Sequence, residues 1–159
     1  MSTRPARGFT LIELMVSLTL LAILATVALP LTQLSKQRER ERALQQALVQ
    51  LRQGIDAYKQ AVDEGRIARR LGDSGYPPTL AALVDGEKDL KDPLGARIYF
   101  LRRIPRDPLC DCPARSAADT WGRRSYASPP QEPREGADVF DVYSLSEGVG
   151  SNGQPYRDW

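Results

Sequence analysis

The sequence predicts an α+β fold in which a long N-terminal α-helix packs on a small antiparallel β-sheet. An apolar run near the N-terminus passes directly into a segment whose apolar residues recur with helical spacing. The remainder, residues 64–159, is rich in turn residues and has only short stretches with the alternating pattern of β-strands. A chain of 159 residues suits one domain together with a membrane element and leaves no room for two full domains.

The apolar run, residues 9–31, is predicted to form the transmembrane half of the long helix. These 23 residues carry a single charge, Glu13, and are numerous enough to span a bilayer. Thirteen of them are Leu, Ile, Val or Phe, so their insertion free energy outweighs the roughly 3 kcal/mol cost of one acidic side chain. Arg4 and Arg7 precede the run and place its N-terminal end in the cytoplasm. A conventionally cleaved signal peptide is disfavoured, because the apolar core is too long and no Ala-x-Ala-like site follows it.

The helical pattern continues as an amphipathic half over residues 32–63. Its apolar stripe, at steps of three and four residues, comprises Leu44, Leu48, Leu51, Ile55, Tyr58 and Val62. Before the stripe, Lys36 to Arg42 alternates in charge and is expected to form a solvated surface. Gly65 suits a left-handed C-cap just after the helix. Pro30 is expected to kink or locally melt the helix, because proline removes a backbone donor and clashes with the preceding turn.

Residues 64–159 are predicted to form a small, loop-rich globular domain. Thr79, which follows two prolines, is expected to cap a short helix running to Val84. The alternating stretches predict strands at Arg97–Leu101 and Val139–Ser144, with a third candidate at Arg123–Ala127. Strands this short fold only by packing on the apolar stripe of the long helix.

Composition excludes several classes of function. The chain contains no histidine, which excludes His-based catalytic triads and His-containing zinc sites. No nucleophile–base pair or phosphate-binding loop is present in the sequence, so neither an enzyme nor a cofactor is expected. The net charge is only +2, and the arginine doublets are scattered among acidic residues. A nucleic acid partner is therefore not expected.

Cys110 and Cys112 form a Cys-x-Cys sequence within a proline-rich loop. In an oxidising compartment they can form a tight local disulfide, pair between chains, or hold a metal ion incompletely. The local disulfide is favoured, although so small a ring offers little stabilisation through loop entropy.

The sequence around the start of the apolar run is Arg7-Gly8-Phe9-Thr10-Leu11-Ile12-Glu13-Leu14. It resembles the processing site of type IV pilin-like proteins, the group that includes the pseudopilins of type II secretion. The resemblance implies that residues 1–8 are a leader peptide and that a prepilin peptidase cuts between Gly8 and Phe9. It also implies N-methylation of the new Phe9 amine and a pilin-like fold.

Glu13 is the candidate residue for filament assembly. Cleavage after Gly8 leaves an ammonium group on Phe9, and a carboxylate at membrane depth requires a cation. A neighbouring subunit displaced along the helix axis can offer its Phe9 amine to Glu13, which makes this pair a selector of register. The alternative is that Glu13 lies in the headgroup region and contacts water or lipid.

Further along, the chain resembles the major pseudopilins of type II secretion. The residues that carry this resemblance are Tyr76 to Leu80, Leu83-Val84, Ile104 to Pro108, and Trp121-Gly122. In that branch Asp-Pro is usually followed directly by Trp-Gly, whereas here Leu109 to Thr120 intervene. The family often has a calcium-binding loop near the C-terminal end, but the usual run of aspartates is missing here. The oxygen donors in this region are Asp138, Asp141, Glu147, Asn152 and Asp158, and solvated loop acids are the favoured interpretation.

The resemblance implies a structural subunit of a periplasmic pseudopilus that supports type II secretion of folded proteins. Implied partners are further copies in a helical filament, the prepilin peptidase, inner-membrane secretion assembly proteins, other minor pseudopilins and the membrane. The implied location is the inner membrane, single-pass, with a cytoplasmic N-terminus and a periplasmic globular domain. Two alternatives stay open: a type IV pilus subunit for adhesion, motility or DNA uptake, and a non-polymerising single-pass membrane adaptor.

Overall fold

The computed structural model describes residues 10–159, and for residues 25–32 it describes the backbone alone. The helices are α1 (Leu11–Asp63) and α2 (Ala82–Asp85), with short 3-10 helices at Ala118–Thr120 and Tyr156–Asp158. The strands are β1 (Glu87–Lys88), β2 (Arg97–Ile98), β3 (Trp121–Arg124) and β4 (Asp141–Ser144). Within the described residues they form two separate antiparallel pairs, β1–β2 and β3–β4, rather than one small sheet. The α+β class is as predicted.

Helix α1 has 53 residues and ends at Asp63, as predicted from the sequence. Gly65 adopts a left-handed φ of 69°, and the amide of Arg66 donates to the carbonyl of Ala61 at 2.9 Å. The Gly65 amide donates to the Val62 carbonyl at 2.9 Å, which completes a Schellman C-cap. These bonds satisfy carbonyls that the end of the helix would otherwise leave without donors.

The chain divides into two compact units, with the boundary between Glu39 and Arg40. The hydrophobic core lies in the second unit, and the apolar stripe of α1 forms one side of it. All six predicted stripe residues are buried, with exposed fractions of 0% to 7%: Leu44, Leu48, Leu51, Ile55, Tyr58 and Val62. The core is completed by Leu83 of α2, Leu80 of the preceding turn, and Trp121 and Val142 of the strands. The predicted packing of short strands on this stripe is therefore confirmed.

The short helix α2 differs from its prediction. It begins at Ala82, its N-cap is Ala81, and no side chain caps it. Thr79 contributes only its carbonyl, which accepts the Ala82 amide at 3.2 Å in the preceding turn. The prediction that Thr79 caps this helix was wrong, because the chain makes one more turn after the prolines before the helix begins.

The first strand pair is shorter than predicted. Strand β2 ends at Ile98, because the amides of Phe100 and Leu101 both donate to the Leu83 carbonyl, at 3.0 and 2.9 Å. Its partner β1 has Glu87 opposite Ile98 and Lys88 opposite Arg97, and was not predicted. The prediction of a strand through Leu101 was therefore too long, since α2 takes the amides that a strand partner would need.

The second strand pair brings Trp121 opposite Ser144 and Arg124 opposite Asp141. Strand β3 thus begins two residues before the predicted start at Arg123 and ends before Ser125. Strand β4 begins at Asp141, because the Val139 amide donates to the Pro77 carbonyl at 2.8 Å instead of joining the pair. The predicted alternation in β4 is confirmed, with Val142 and Ser144 fully buried.

The helix assignment of α1 is continuous through position 30. The local melting expected at Pro30 as the alternative to a kink is therefore not observed, and the kink stays a prediction. The predicted membrane half of the helix covers residues 9–31. In the part of the chain that the structure describes, no helix is both long and apolar enough to cross a membrane.

Candidate assembly surface

The first turns of α1 present an apolar surface on every side of the helix. Each large apolar side chain from Leu11 to Leu24 is more than half exposed, from 52% for Val16 to 82% for Leu11. They are Leu11, Ile12, Leu14, Met15, Val16, Leu18, Leu20, Leu21, Ile23 and Leu24. A helix that is apolar all round is normally buried in a membrane or among other helices. This surface, called here the N-terminal apolar surface, therefore requires an external partner.

Thr10 begins the helix and fixes the position of Glu13. The Glu13 amide donates to the Thr10 hydroxyl oxygen at 3.3 Å, and the Leu14 amide donates to the Thr10 carbonyl at 3.2 Å. Thr10 is therefore the N-cap, and Glu13 occupies the third helical position of a capping-box sequence. A negative charge there is also favoured by the helix dipole.

The other polar side chains of this surface are satisfied within the helix. The Ser17 hydroxyl donates to the Glu13 carbonyl at 2.7 Å, and the Thr19 hydroxyl donates to the Val16 carbonyl at 2.8 Å. Hydroxyls that bond to the preceding turn can enter an apolar environment at little cost. Glu13, by contrast, is exposed and forms no ion pair with another described residue. Its carboxylate is thus the charge on this surface that needs a partner.

Two predicted sites lie outside the described residues. Gly8 and Phe9 precede residue 10, so leader cleavage and N-methylation stay predictions. The pairing of Glu13 with the Phe9 amine of a neighbouring subunit also stays a prediction, because Phe9, which carries the cation of this pair, is outside the described residues.

Cys110 and Cys112 lie in the loop that separates Asp107-Pro108 from Trp121-Gly122. Their sulfur atoms are joined in a disulfide, with Cα atoms 5.3 Å apart. The Arg106 guanidinium braces the same loop, donating to the carbonyls of Cys112 and Arg115 at 2.7 Å each. Pairing in the cellular protein remains a prediction to be tested by thiol chemistry.

Asp107 organises the base of this loop, a role that the sequence analysis missed. Its side chain is 2% exposed and accepts the Ser144 hydroxyl at 2.6 Å and the Leu109 amide at 2.8 Å. The Asp107 amide donates to the Thr120 hydroxyl at 3.1 Å. Asp107 therefore contacts both ends of the loop, at Leu109 and at Thr120. The available signal was Asp followed by Pro and Leu, which favours an Asx turn.

Glu41 is the second residue that the sequence analysis missed. It was expected on a solvated surface between Lys36 and Arg42, but it is 5% exposed. Its position was readable, because Glu41, Leu44, Leu48 and Leu51 continue the stripe at steps of three, four and three. A carboxylate on the buried stripe requires hydrogen-bond donors, and Glu41 obtains them from the C-terminal residues.

The surroundings of Asp89, Tyr58 and Tyr76, all in the second unit, shift the pKa values of these three groups. The Arg66 guanidinium donates two hydrogen bonds to Asp89 and holds the pKa of that carboxyl below its ordinary value, with help from the Lys91 amide. Burial raises the pKa of the Tyr58 phenol, and burial also raises the pKa of the Tyr76 phenol. All three shifts follow from structural contacts, and none gives a group suited to acid–base chemistry near neutral pH.

Comparison with known proteins gives one match to a family model at the N-terminal end and several similar proteins. Residues 3–29 match the family described as the prokaryotic N-terminal methylation motif. Type II secretion system core protein G of Klebsiella pneumoniae is 34% identical over 161 residues, which cover 96% of this chain and 94% of that protein. The protein of the same name from Aeromonas hydrophila is 30% identical over 112 residues, covering 68% of this chain and 71% of the relative.

A third relative of that name, from Dickeya chrysanthemi, is 31% identical over 109 residues, covering 66% of this chain and 64% of the relative. That alignment spans slightly less than two thirds of the relative's own length. No solved structure matches the chain at comparable significance. Because the Klebsiella pneumoniae alignment extends over nearly the whole of both proteins, the chain belongs to the family of the type II secretion system core protein G.

Proposed function

We propose that the chain is a structural subunit of a pseudopilus that supports type II secretion of folded proteins. The relatives are named as core proteins of that secretion system, which supports a role within its assembly. The observation that carries the proposal is the N-terminal apolar surface, with Glu13 as its acidic residue in the first turn. This surface is suited to two environments in turn, the bilayer and the interior of a filament.

The physical argument starts from the bilayer. Lipid chains are as apolar as leucine, so apolar contact alone contributes little free energy to the association of helices in the bilayer. A charged group in the same environment is costly until it is paired. Glu13 therefore supplies a selective contact between copies, while the apolar residues supply none of the selectivity.

The apolar residues determine the free energy of the step in which a subunit leaves the bilayer. Complete burial of a Leu or Ile side chain is favourable by roughly 1.5 to 3 kcal/mol relative to leaving it in water. Ten such large side chains between Leu11 and Leu24 are more than half exposed. A subunit can thus be extracted only when other copies replace the lipid, which couples extraction to polymerisation.

The same proposal includes processing and location. The match to the N-terminal methylation motif at residues 3–29 supports cleavage between Gly8 and Phe9 by a prepilin peptidase, followed by methylation of Phe9. The mature chain is anchored in the inner membrane by α1, with its globular unit in the periplasm. Its partners are further copies of itself, minor pseudopilins and inner-membrane assembly proteins. Mass spectrometry of membrane-extracted protein tests the processing, and an intact Met1 terminus would contradict it.

Replacement of Glu13 tests assembly. Glu13→Gln keeps a side chain that fits the capping box but removes the charge, whereas Thr10→Ala removes the cap and keeps the charge. We expect Glu13→Gln and Glu13→Ala to insert normally and to lose most filament yield after overexpression, shearing and electron microscopy. Thr10→Ala should retain filaments, because its cost is limited to about 1 kcal/mol of helix capping.

The matched control is Glu39→Gln, which removes an exposed charge from the same helix. Filament yields equal to wild type in Glu13→Gln would show that the carboxylate does not set assembly. Loss of filaments in Thr10→Ala to the same extent would assign the effect to helix capping instead.

A gene deletion distinguishes the two alternative functions. We expect exported proteins to accumulate in the periplasm, with twitching motility and DNA uptake unchanged. Normal export with lost motility would favour a type IV pilus subunit. Normal export and motility, with no filament on overexpression, would favour a non-polymerising membrane adaptor.

A further inference from the structure

The family resemblance implies a calcium ion near the C-terminal end, and the residues present do not fit one. Among the described residues, no group of three or more acidic or cysteine side chains is arranged to hold a metal ion. Asp138 accepts the Ser125 hydroxyl at 2.9 Å and the Tyr126 amide at 2.8 Å. Calcium needs six to eight oxygen ligands, whereas this oxygen of Asp138, Oδ1, faces two donors of the protein itself.

Asp141 is likewise engaged by cations of the protein itself. One carboxylate oxygen lies 2.8 Å from Arg52, and the other lies 3.3 Å from Arg124. Asn152 uses its side-chain oxygen to accept the Gln154 amide at 3.0 Å, within a local turn. Asp138, Asp141 and Asn152 are thus used separately, in contacts that a calcium ion would have to replace.

The carboxylate of Glu41, on α1, binds the C-terminal segment, defined here as residues 145–159. The two oxygens of Glu41 accept the Ser151 amide at 2.9 Å, the Ser151 hydroxyl at 2.6 Å and the Tyr156 hydroxyl at 3.0 Å. Glu41 and Tyr156 are both nearly buried, with exposed fractions of 5% and 6%. Charge-assisted hydrogen bonds of this kind are shorter and stronger than neutral ones, and their loss is costly in a buried site.

A second anchor comes from three turns further along α1. The Arg52 guanidinium donates to the Trp159 carbonyl at 2.7 Å and to the Val142 carbonyl at 3.3 Å, besides its ion pair with Asp141. Arg52 therefore ties the last residues to β4 and to the helix. Between the anchors, the Tyr156 and Trp159 rings pack edge to face with centroids 5.1 Å apart.

We infer that Glu41 and Arg52 fix the C-terminal segment to α1 through protein contacts alone, so that its position does not depend on calcium. A carboxylate on the buried stripe of the helix supplies the negative charge, and the segment supplies the donors. The inference does not rest on the proposed function, because it concerns how one chain holds its own terminus.

Hydrogen–deuterium exchange of the full chain in detergent tests this inference directly. Wild type is compared in EGTA and in millimolar calcium chloride, and exchange is followed in peptides covering residues 148–156. We expect identical protection in both conditions and no calcium binding heat by titration calorimetry. Glu41→Gln should speed exchange in these peptides by about tenfold or more, with no recovery on adding calcium.

The matched control is Glu39→Gln, an exposed glutamate two residues earlier on the same helix, which should leave exchange unchanged. Tyr156→Phe removes a single hydroxyl donor and gives a milder test if Glu41→Gln fails to fold. We expect it to speed exchange by a few fold. Protection that rises with calcium, or unchanged exchange in both Glu41→Gln and Tyr156→Phe, would overturn the inference.

Discussion

Two parts of the same helix have opposite surroundings. In residues 11–24 the large apolar side chains are 52% to 82% exposed, whereas the stripe between Leu44 and Val62 is 0% to 7% exposed. Composition already separates them, because residues 11–24 carry a single charge whereas residues 44–62 include Arg52, Asp56, Lys59 and several glutamines. The difference is that the second part has polar residues on its outer face and a folded domain on its apolar stripe. The first part is apolar all round and depends on something outside the chain.

This contrast separates folding from assembly along one element. Substitutions in the buried stripe should act on the stability of the globular unit, because its core is built there. Substitutions in the N-terminal apolar surface should act on association between copies. The experiments below test whether that separation holds, beginning with the largest expected effect.

Leu51→Ala should destabilise the globular unit by about 2 to 5 kcal/mol, because Leu51 is fully buried and its loss leaves a cavity. Leu18→Ala, at a position 58% exposed, should change the free energy of unfolding by less than about 0.5 kcal/mol. Chemical unfolding in detergent, followed by tryptophan fluorescence, measures both. Equal losses for the two variants would contradict the separation of roles.

Asp107→Ala should lower the free energy of unfolding by about 1 to 3 kcal/mol, because the Ser144 hydroxyl and the Leu109 amide lose their buried acceptor. Asp107→Asn keeps one acceptor oxygen and should lose less. The same unfolding experiment compares the three proteins. If Asp107→Ala were as stable as wild type, the loop base would not depend on this carboxylate.

Reduction of the Cys110–Cys112 disulfide should cost less than about 2 kcal/mol, because the ring closes over only two residues of separation. Arg106 and Asp107 continue to hold the loop after reduction. Unfolding midpoints with and without reductant measure the effect, and the double variant Cys110→Ser/Cys112→Ser, which should show no response to reductant, serves as the control. Thiol labelling of freshly isolated protein shows whether the pair is oxidised, and free thiols would contradict the predicted disulfide.

The smallest effect on stability is expected when the pH is lowered. The pKa of Asp89 is lower in the folded protein than its ordinary value, so the unfolded chain binds the extra proton more readily. The stabilisation from the Arg66–Asp89 pair is therefore present at neutral pH and is lost as the pH falls below about 4. Asp89→Asn should flatten this part of the pH dependence of stability. An unchanged slope in Asp89→Asn would show that other carboxyls cause the acid loss.

Much of the helix was predictable because its determinants are local. The spacing of Leu44, Leu48 and Leu51 gave the buried face, and Gly65 gave the C-cap. Glu41 lies on the same spacing, but its charge and the neighbouring arginines suggested exposure. Its burial depends on Ser151 and Tyr156, which lie more than one hundred residues away in the sequence.

The strands were predicted less well because their limits depend on distant partners. The apolar pattern from Ile98 to Leu101 looks like one strand, but the Leu83 carbonyl takes two of its amides. Trp121 joins β3 because Ser144 lies opposite it, a pairing that no local pattern shows. Glu13 was singled out as the predicted assembly residue from the motif around it, whereas the contacts of Asp107 and Glu41 required the folded structure.

In the proposed filament, copies of the chain cover one another's N-terminal apolar surface. Single cysteines at Leu14, Val16, Leu18 or Leu20, in a Cys110→Ser/Cys112→Ser background, sample two opposite sides of this surface. With a membrane-permeant oxidant we expect disulfide-linked dimers from one or more of these positions, and their loss when Glu13→Gln is added. A cysteine at the fully buried Leu51 should give only monomer. Monomers alone from all four exposed positions, at expression equal to wild type, would contradict the account.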